Sequence, residues 1–123
     1  MNKRKDESMT SREMAKLACE CIEEKKGIDI KAIDISNVSV IADYFIIAGG
    51  NNVRQIQTIA DYIEEKFGKA GVEPKSIEGY HSSNWILMDY RDVIIHIFNQ
   101  EERLFYDLER IWADGQTVEI ADL

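Results

Sequence analysis

The sequence predicts an α/β fold, an α+β sandwich in which helices pack on a mixed β-sheet. Apolar residues recur at helical spacing over residues 10–26 and 52–68. Tyr44 to Ala48 is a continuous apolar run closed by Gly49-Gly50, as a central strand covered on both faces requires. Two aromatic and aliphatic runs, Trp85 to Tyr90 and Val93 to Phe98, have only Arg91-Asp92 between them, which is how a hairpin reads. With 123 residues, 45% of them hydrophobic, the chain suffices for one core and is short for two.

Residues 1–9 are expected to form a mobile tail. Thr10 and Glu13 then have the spacing of a capping box, and Met14, Leu17, Ala18, Cys21 and Ile22 trace one helical face up to a stop at Lys25-Lys26-Gly27. Ile28 to Ile35 alternates imperfectly but is rich in isoleucine, which suits a strand. Val38 to Ala42 reads as a loop or strand turn, leading into the Tyr44 run. Asn52 and Gln55 start the second helix, whose stripe Val53, Ile56, Ile59, Ala60, Ile63 and Phe67 has the clearest 3.6-residue period in the chain; Gly68 and Gly71 end it. Pro74 lies in the connection to a short strand, Ile77-Glu78-Gly79-Tyr80, and a turn at His81 to Asn84 leads into the hairpin. After Asn99, the spacing of Leu104, Phe105, Leu108, Ile111 and Trp112 predicts a third, acidic helix. Gly115 breaks it, so the domain is expected over residues 10–114, with 115–123 a tail or weak edge strand.

Composition narrows the function classes. The net charge is −8, and residues 99–123 alone contribute −5, from seven acidic and two basic side chains. Such a surface repels phosphate backbones, so a basic protein is the expected partner rather than nucleic acid. No run approaches the roughly 18 to 20 apolar residues of a membrane span, and the start lacks the apolar stretch of a secretory signal, so a cytoplasmic location is expected. Cys19 and Cys21, two apart on a helix, point roughly 200° from each other and read as reduced structural thiols.

The hairpin and third helix, together with Ala42-Asp43-Tyr44-Phe45-Ile46-Ile47-Ala48-Gly49-Gly50 and Ile77-Glu78-Gly79-Tyr80, resemble the ribosomal silencing factor family, also called the Iojap-like family. The resemblance runs from about Met9 to Asp114. One departure is Gly50-Asn51-Asn52, where such proteins more often have small hydroxyl residues. The resemblance implies a nucleotidyltransferase-like fold without the catalytic metal site. It also implies a non-enzymatic translation repressor and a homodimer. The family domain binds the large-subunit ribosomal protein numbered fourteen where the small subunit must dock, which blocks subunit joining when nutrients are scarce.

The residues themselves argue against an active site. Nucleotidyl transfer needs two aspartates one residue apart to hold paired magnesium ions, and after Gly49-Gly50-Asn51 this chain offers only Asp61-Tyr62-Ile63. The alternative function is a nucleotidyl- or phosphoryl-transfer enzyme that uses Asp43, Asp89 or Asp92 in an unrecognised metal site. Asp89 and Asp92 flank the hairpin turn, where a carboxylate more often accepts from turn amides. No phosphate-cradling loop or nucleophile-base pair is present, His96 reads as a satisfied strand histidine, and no cofactor is expected.

The surface offers an aromatic anchor instead. Trp85 starts a strand beside the polar turn His-Ser-Ser-Asn, so its indole is expected to be half covered. By alternation Trp85, Leu87 and Asp89 share one face, and Ile86, Met88 and Tyr90 the other. The family tryptophan matches Trp85, and the contact surface is expected on Trp85, Leu87, Met88, Asp89 and Tyr90.

Overall fold

A computed structural model describes residues 9–82, 84–100 and 115–123. The predicted third helix, with Phe105, Tyr106 and Trp112, lies outside these residues, as do residues 1–8. The first helix, α1 (Ser11–Glu24), begins with the predicted capping box: the Thr10 hydroxyl accepts from the Glu13 amide and the Glu13 carboxylate from the Thr10 amide. It ends at the expected stop, with Lys25 as its C-cap. Lys26, not Gly27, takes the left-handed conformation, at φ 66°, and the Gly27 amide donates to Ile22 O. Gly27 is needed for space, since a Cβ there would lie 2.3 Å from the Ile22 side chain.

The strand β1 (Ile28–Asp34) is antiparallel to β2 (Tyr44–Gly50), and the pairing register shifts between Ile28 and Lys31, where Asp29 has φ 52°. This bulge is the physical reason that the run alternates imperfectly. The helix α2 (Val53–Lys69) is capped by Asn52 Oδ1, which accepts from the Gln55 amide. Gln55 completes no reciprocal box. Its carbonyl accepts from Asn51 N–H and its amide donates to the backbone oxygens of Lys25 and Lys26, tying the helix start to the end of α1.

Three strands follow: β3 (Ser76–Glu78), β4 (Trp85–Asp89) and β5 (Val93–Asn99). β3 stops before Gly79 and Tyr80, which were expected to extend it, because Gly79 turns to φ 77° and Tyr80 belongs to the turn. The C-terminal segment is no loose tail. Gln116–Val118 forms β6 on the free edge of β1, a 3-10 turn (Ile120–Asp122) follows, and Val118, Ile120 and Leu123 pack on the core. Met9, assigned to the tail from the sequence, packs on the same core.

The six strands are ordered β3-β4-β5-β2-β1-β6. β2 and β5 pair in parallel at the centre and the other neighbours are antiparallel. Every residue of these two central strands is buried. Helices α1 and α2 cover one sheet face, where Ile22, Ile56, Ile59, Ile63, Phe67, Ile86, Met88 and Ile95 are fully buried. Each such side chain contributes about 1.5–3 kcal/mol relative to exposure, and this face supplies most of the core.

Cys19 is as buried as Cys21, although it lies off the predicted stripe. The reason is that α1 packs on α2 as well as on the sheet, so more than one narrow stripe is covered. Burial pushes the Cys19 thiol up to about 12 and the Cys21 thiol to about 11, so neither is a nucleophile at neutral pH.

Candidate protein-binding face

The opposite sheet face carries a second, smaller cluster: Ile33, Ile35, Ala42, Phe45, Ile47, Ile94 and Phe98, with Trp85 and Leu87 packed against it and only partly buried. The hairpin builds it. Tyr90 and Val93 flank the turn, Asp89 pairs with Ile94, Leu87 with His96 and Trp85 with Phe98, so alternation aims Trp85, Leu87, Ile94, His96 and Phe98 to one side. The indole of Trp85 stacks on Phe98 at 5.3 Å between ring centroids and 15° between planes, and on His96 at 5.7 Å and 27°. Its N–H donates to His96 Nδ1 at 3.2 Å. Trp85 is therefore neither a free surface side chain nor a fully buried one.

Two of the other three predicted contact residues are placed elsewhere. Met88 is 0% exposed and Tyr90 3%, both under the helices, where the Tyr90 ring packs against Phe67 at 4.3 Å. Alternation put them on the face opposite Trp85, and that face is the main core, so a partner cannot reach them without opening the fold. Burial also raises the Tyr90 phenol above its ordinary value.

Asp89 is partly exposed, and its carboxylate accepts from the Arg91 amide at 2.8 Å. That bond supports Arg91 at φ 72°, a left-handed conformation unfavourable to side-chain-bearing residues, so Asp89 has a turn role whatever else it does. Asp61 accepts from the Tyr80 hydroxyl at 2.9 and 3.0 Å, and the Gln57 amide donates to Tyr80 O at 2.9 Å. These bonds fasten the turn that precedes Trp85 onto α2. Among the described residues, no group of three or more His, Cys, Asp or Glu side chains could hold a metal ion.

His96 is the residue that sequence reasoning undervalued. It is 3% exposed, its Nδ1 is paired and its Nε2 has no hydrogen-bond partner among the described residues, so it is only half satisfied. Burial lowers its pKa from 6.5 to about 3, which keeps the ring neutral and Nδ1 an acceptor. A groove of about 280 Å³ runs beside the indole, lined by Glu78, Gly79, Ser82, Asn84, Trp85 and Leu87. Beyond Asp89, a second groove is lined by Ile41, Lys75, Asp89, Arg91 and Ile94. Ile41 is 64% exposed there and its neighbour Val40 fully so, a hydrophobic loop tip that the sequence marked only as a connection.

Residues 8–123 match the family model described as "Ribosomal silencing factor during starvation". The chain belongs to this family. It is 38% identical over 112 residues to the ribosomal silencing factor RsfS of Halalkalibacterium halodurans, covering 91% of this chain and 96% of that one. To the RsfS of Bacillus subtilis it is 36% identical over 115 residues, covering 94% and 95%. A crystal structure of a Chromobacterium violaceum protein superposes with a TM-score of 0.81 at 35% identity, covering 90% of this chain and 92% of that one. The resemblance seen in the sequence is thus confirmed at the level of family and fold. Within Gly50-Asn51-Asn52, the Asn52 side chain provides the oxygen that caps α2. No helix among the described residues is long and apolar enough to cross a membrane.

Proposed function

We propose that this protein is a non-enzymatic translation repressor of the cytoplasm that docks on the large ribosomal subunit and sterically blocks joining of the small one when nutrients are limiting. The partner is the basic large-subunit protein numbered fourteen, and the active form is a homodimer. Membership of the silencing factor family supports the ribosomal role. The observation that carries the choice of surface is the partly exposed pair Trp85 and Leu87, on the sheet face turned away from α1 and α2. An apolar pair bordered by the carboxylates of Glu78 and Asp89 fits a basic protein in both shape and sign. Met88 and Tyr90 are left out of this surface because they are buried.

Sedimentation of the purified protein with separated ribosomal subunits tests the reading. The protein is expected to travel with large subunits, to leave small subunits alone, and to prevent their association. Binding is expected to weaken as salt rises, because rim carboxylates act through fields that salt screens over about 8 to 10 Å. Failure to cosediment overturns the proposal, and binding that strengthens with salt removes the acidic rim from it. Light scattering is expected to give twice the monomer mass; a monomer at high micromolar concentration refutes the dimer.

A further inference from the structure

We infer that His96 is a positioning residue for docking, holding the Trp85 indole in a fixed orientation with its only hydrogen-bond donor already used. The inference rests on the reading of Trp85 as the docking anchor. Trp85 and His96 are diagonal neighbours across the hairpin, because Trp85 pairs with Phe98, two residues beyond His96. The Trp85 N–H donates to Nδ1 at 3.2 Å, while the two rings stack and Phe98 supports the indole from the same strand. Phe45 packs against the imidazole at 4.6 Å, so the acceptor itself has little freedom.

The arrangement is costly. With Nδ1 accepting, the proton of the neutral ring is on Nε2, and that N–H is buried with no partner among the described residues. A leucine at this position would leave no orphaned donor and would suit the apolar cluster around it. A histidine here is accounted for by what its other nitrogen does. Two consequences follow for recognition. The indole is ordered before the partner arrives, which lowers the entropy lost on docking. Its N–H is committed internally, so the partner meets ring carbon and the ring face, and must offer an apolar group or a cation rather than a hydrogen-bond acceptor.

The test compares His96→Leu with His96→Asn in the full chain. The asparagine Oδ1 stands where Nδ1 stood and can accept the indole proton; leucine cannot. The spectroscopic readout is the Trp85 indole N–H resonance of the free protein, assigned by its disappearance in Trp85→Phe. The binding readout is the Kd for large subunits. His96→Leu is expected to stay folded, to move the indole resonance and speed its solvent exchange about tenfold, and to weaken binding by about tenfold. His96→Asn is expected to recover most of both. An unchanged indole resonance and exchange rate in His96→Leu overturns the inference, as does equal weakening of binding by the two variants. If His96→Leu fails to fold, His96→Asn decides: a protected indole with retained binding upholds the inference, and loss of either defeats it. Trp85→Ala distinguishes this failure from that of the docking surface, since normal binding by that variant removes the anchor itself, and the positioning role with it.

Discussion

Trp85→Ala is expected to weaken large-subunit binding by at least about 30-fold, corresponding to about 2 kcal/mol, while the domain stays folded. An anchor that is partly exposed and rigidly stacked loses nearly all of its contact area on truncation, whereas the core beneath the helices does not depend on it. Some stability is lost too, since the ring stacks on Phe98 and His96; the melting temperature is expected to fall by a few degrees, not to collapse. Circular dichroism and subunit sedimentation read the two effects separately. Normal binding by a folded variant moves the contact surface elsewhere. A molten variant assigns Trp85 to the core and leaves the docking surface to be sought beyond Leu87. Leu87→Ala is the milder companion and acts mainly by faster dissociation.

Gly79→Ala is expected to be damaging for a different reason. Gly79 has φ 77°, and a Cβ there would lie 2.2 Å from the Trp85 carbonyl oxygen, a backbone atom that cannot swing aside. The turn must open, at a cost of about 3 kcal/mol and roughly 10 °C in Tm. Because the same turn feeds Trp85 into β4, subunit binding is expected to fall along with stability. Thermal melting and sedimentation check both. A variant that melts within a degree of the parent and binds normally contradicts the geometry of this turn. Neither the size nor the location of this effect follows from the sequence Ile-Glu-Gly-Tyr, where the glycine reads as part of a strand.

The hairpin shows how much of the candidate face was legible. A two-residue connection between Tyr90 and Val93 fixes the pairing as Asp89 with Ile94, Leu87 with His96 and Trp85 with Phe98, which is the register found. Alternation then separates Trp85 and Leu87 from Met88 and Tyr90. Met88 and Tyr90, expected in the contact surface, therefore face the helices, and their burial is the direct result of that separation. The same register makes Trp85 and His96 diagonal neighbours, so the aromatic-imidazole pair was implicit in the connection length. What could not be read was which way the rings turn, and so which nitrogen of His96 meets the indole.

Local chemistry by itself determined the helix starts and the central strand β2: the Thr10-Glu13 box, the Asn52 cap, the isoleucine stripe of α2 and the apolar run of β2 each depend on residues near in sequence. Order and spacing of those motifs also sufficed for the family. Only the tertiary structure decided the parallel pairing of β2 with β5, the recruitment of Gln116–Val118 to the edge of β1, and the burial of Cys19 between α1 and its neighbours. It alone decided that His96 holds Trp85 with one nitrogen while the other finds no partner among the described residues. The physical reason is range. Capping and periodicity act over three or four residues, whereas sheet order and ring-to-ring contacts are set by which distant surfaces exclude water together, and that is fixed only when the whole core closes.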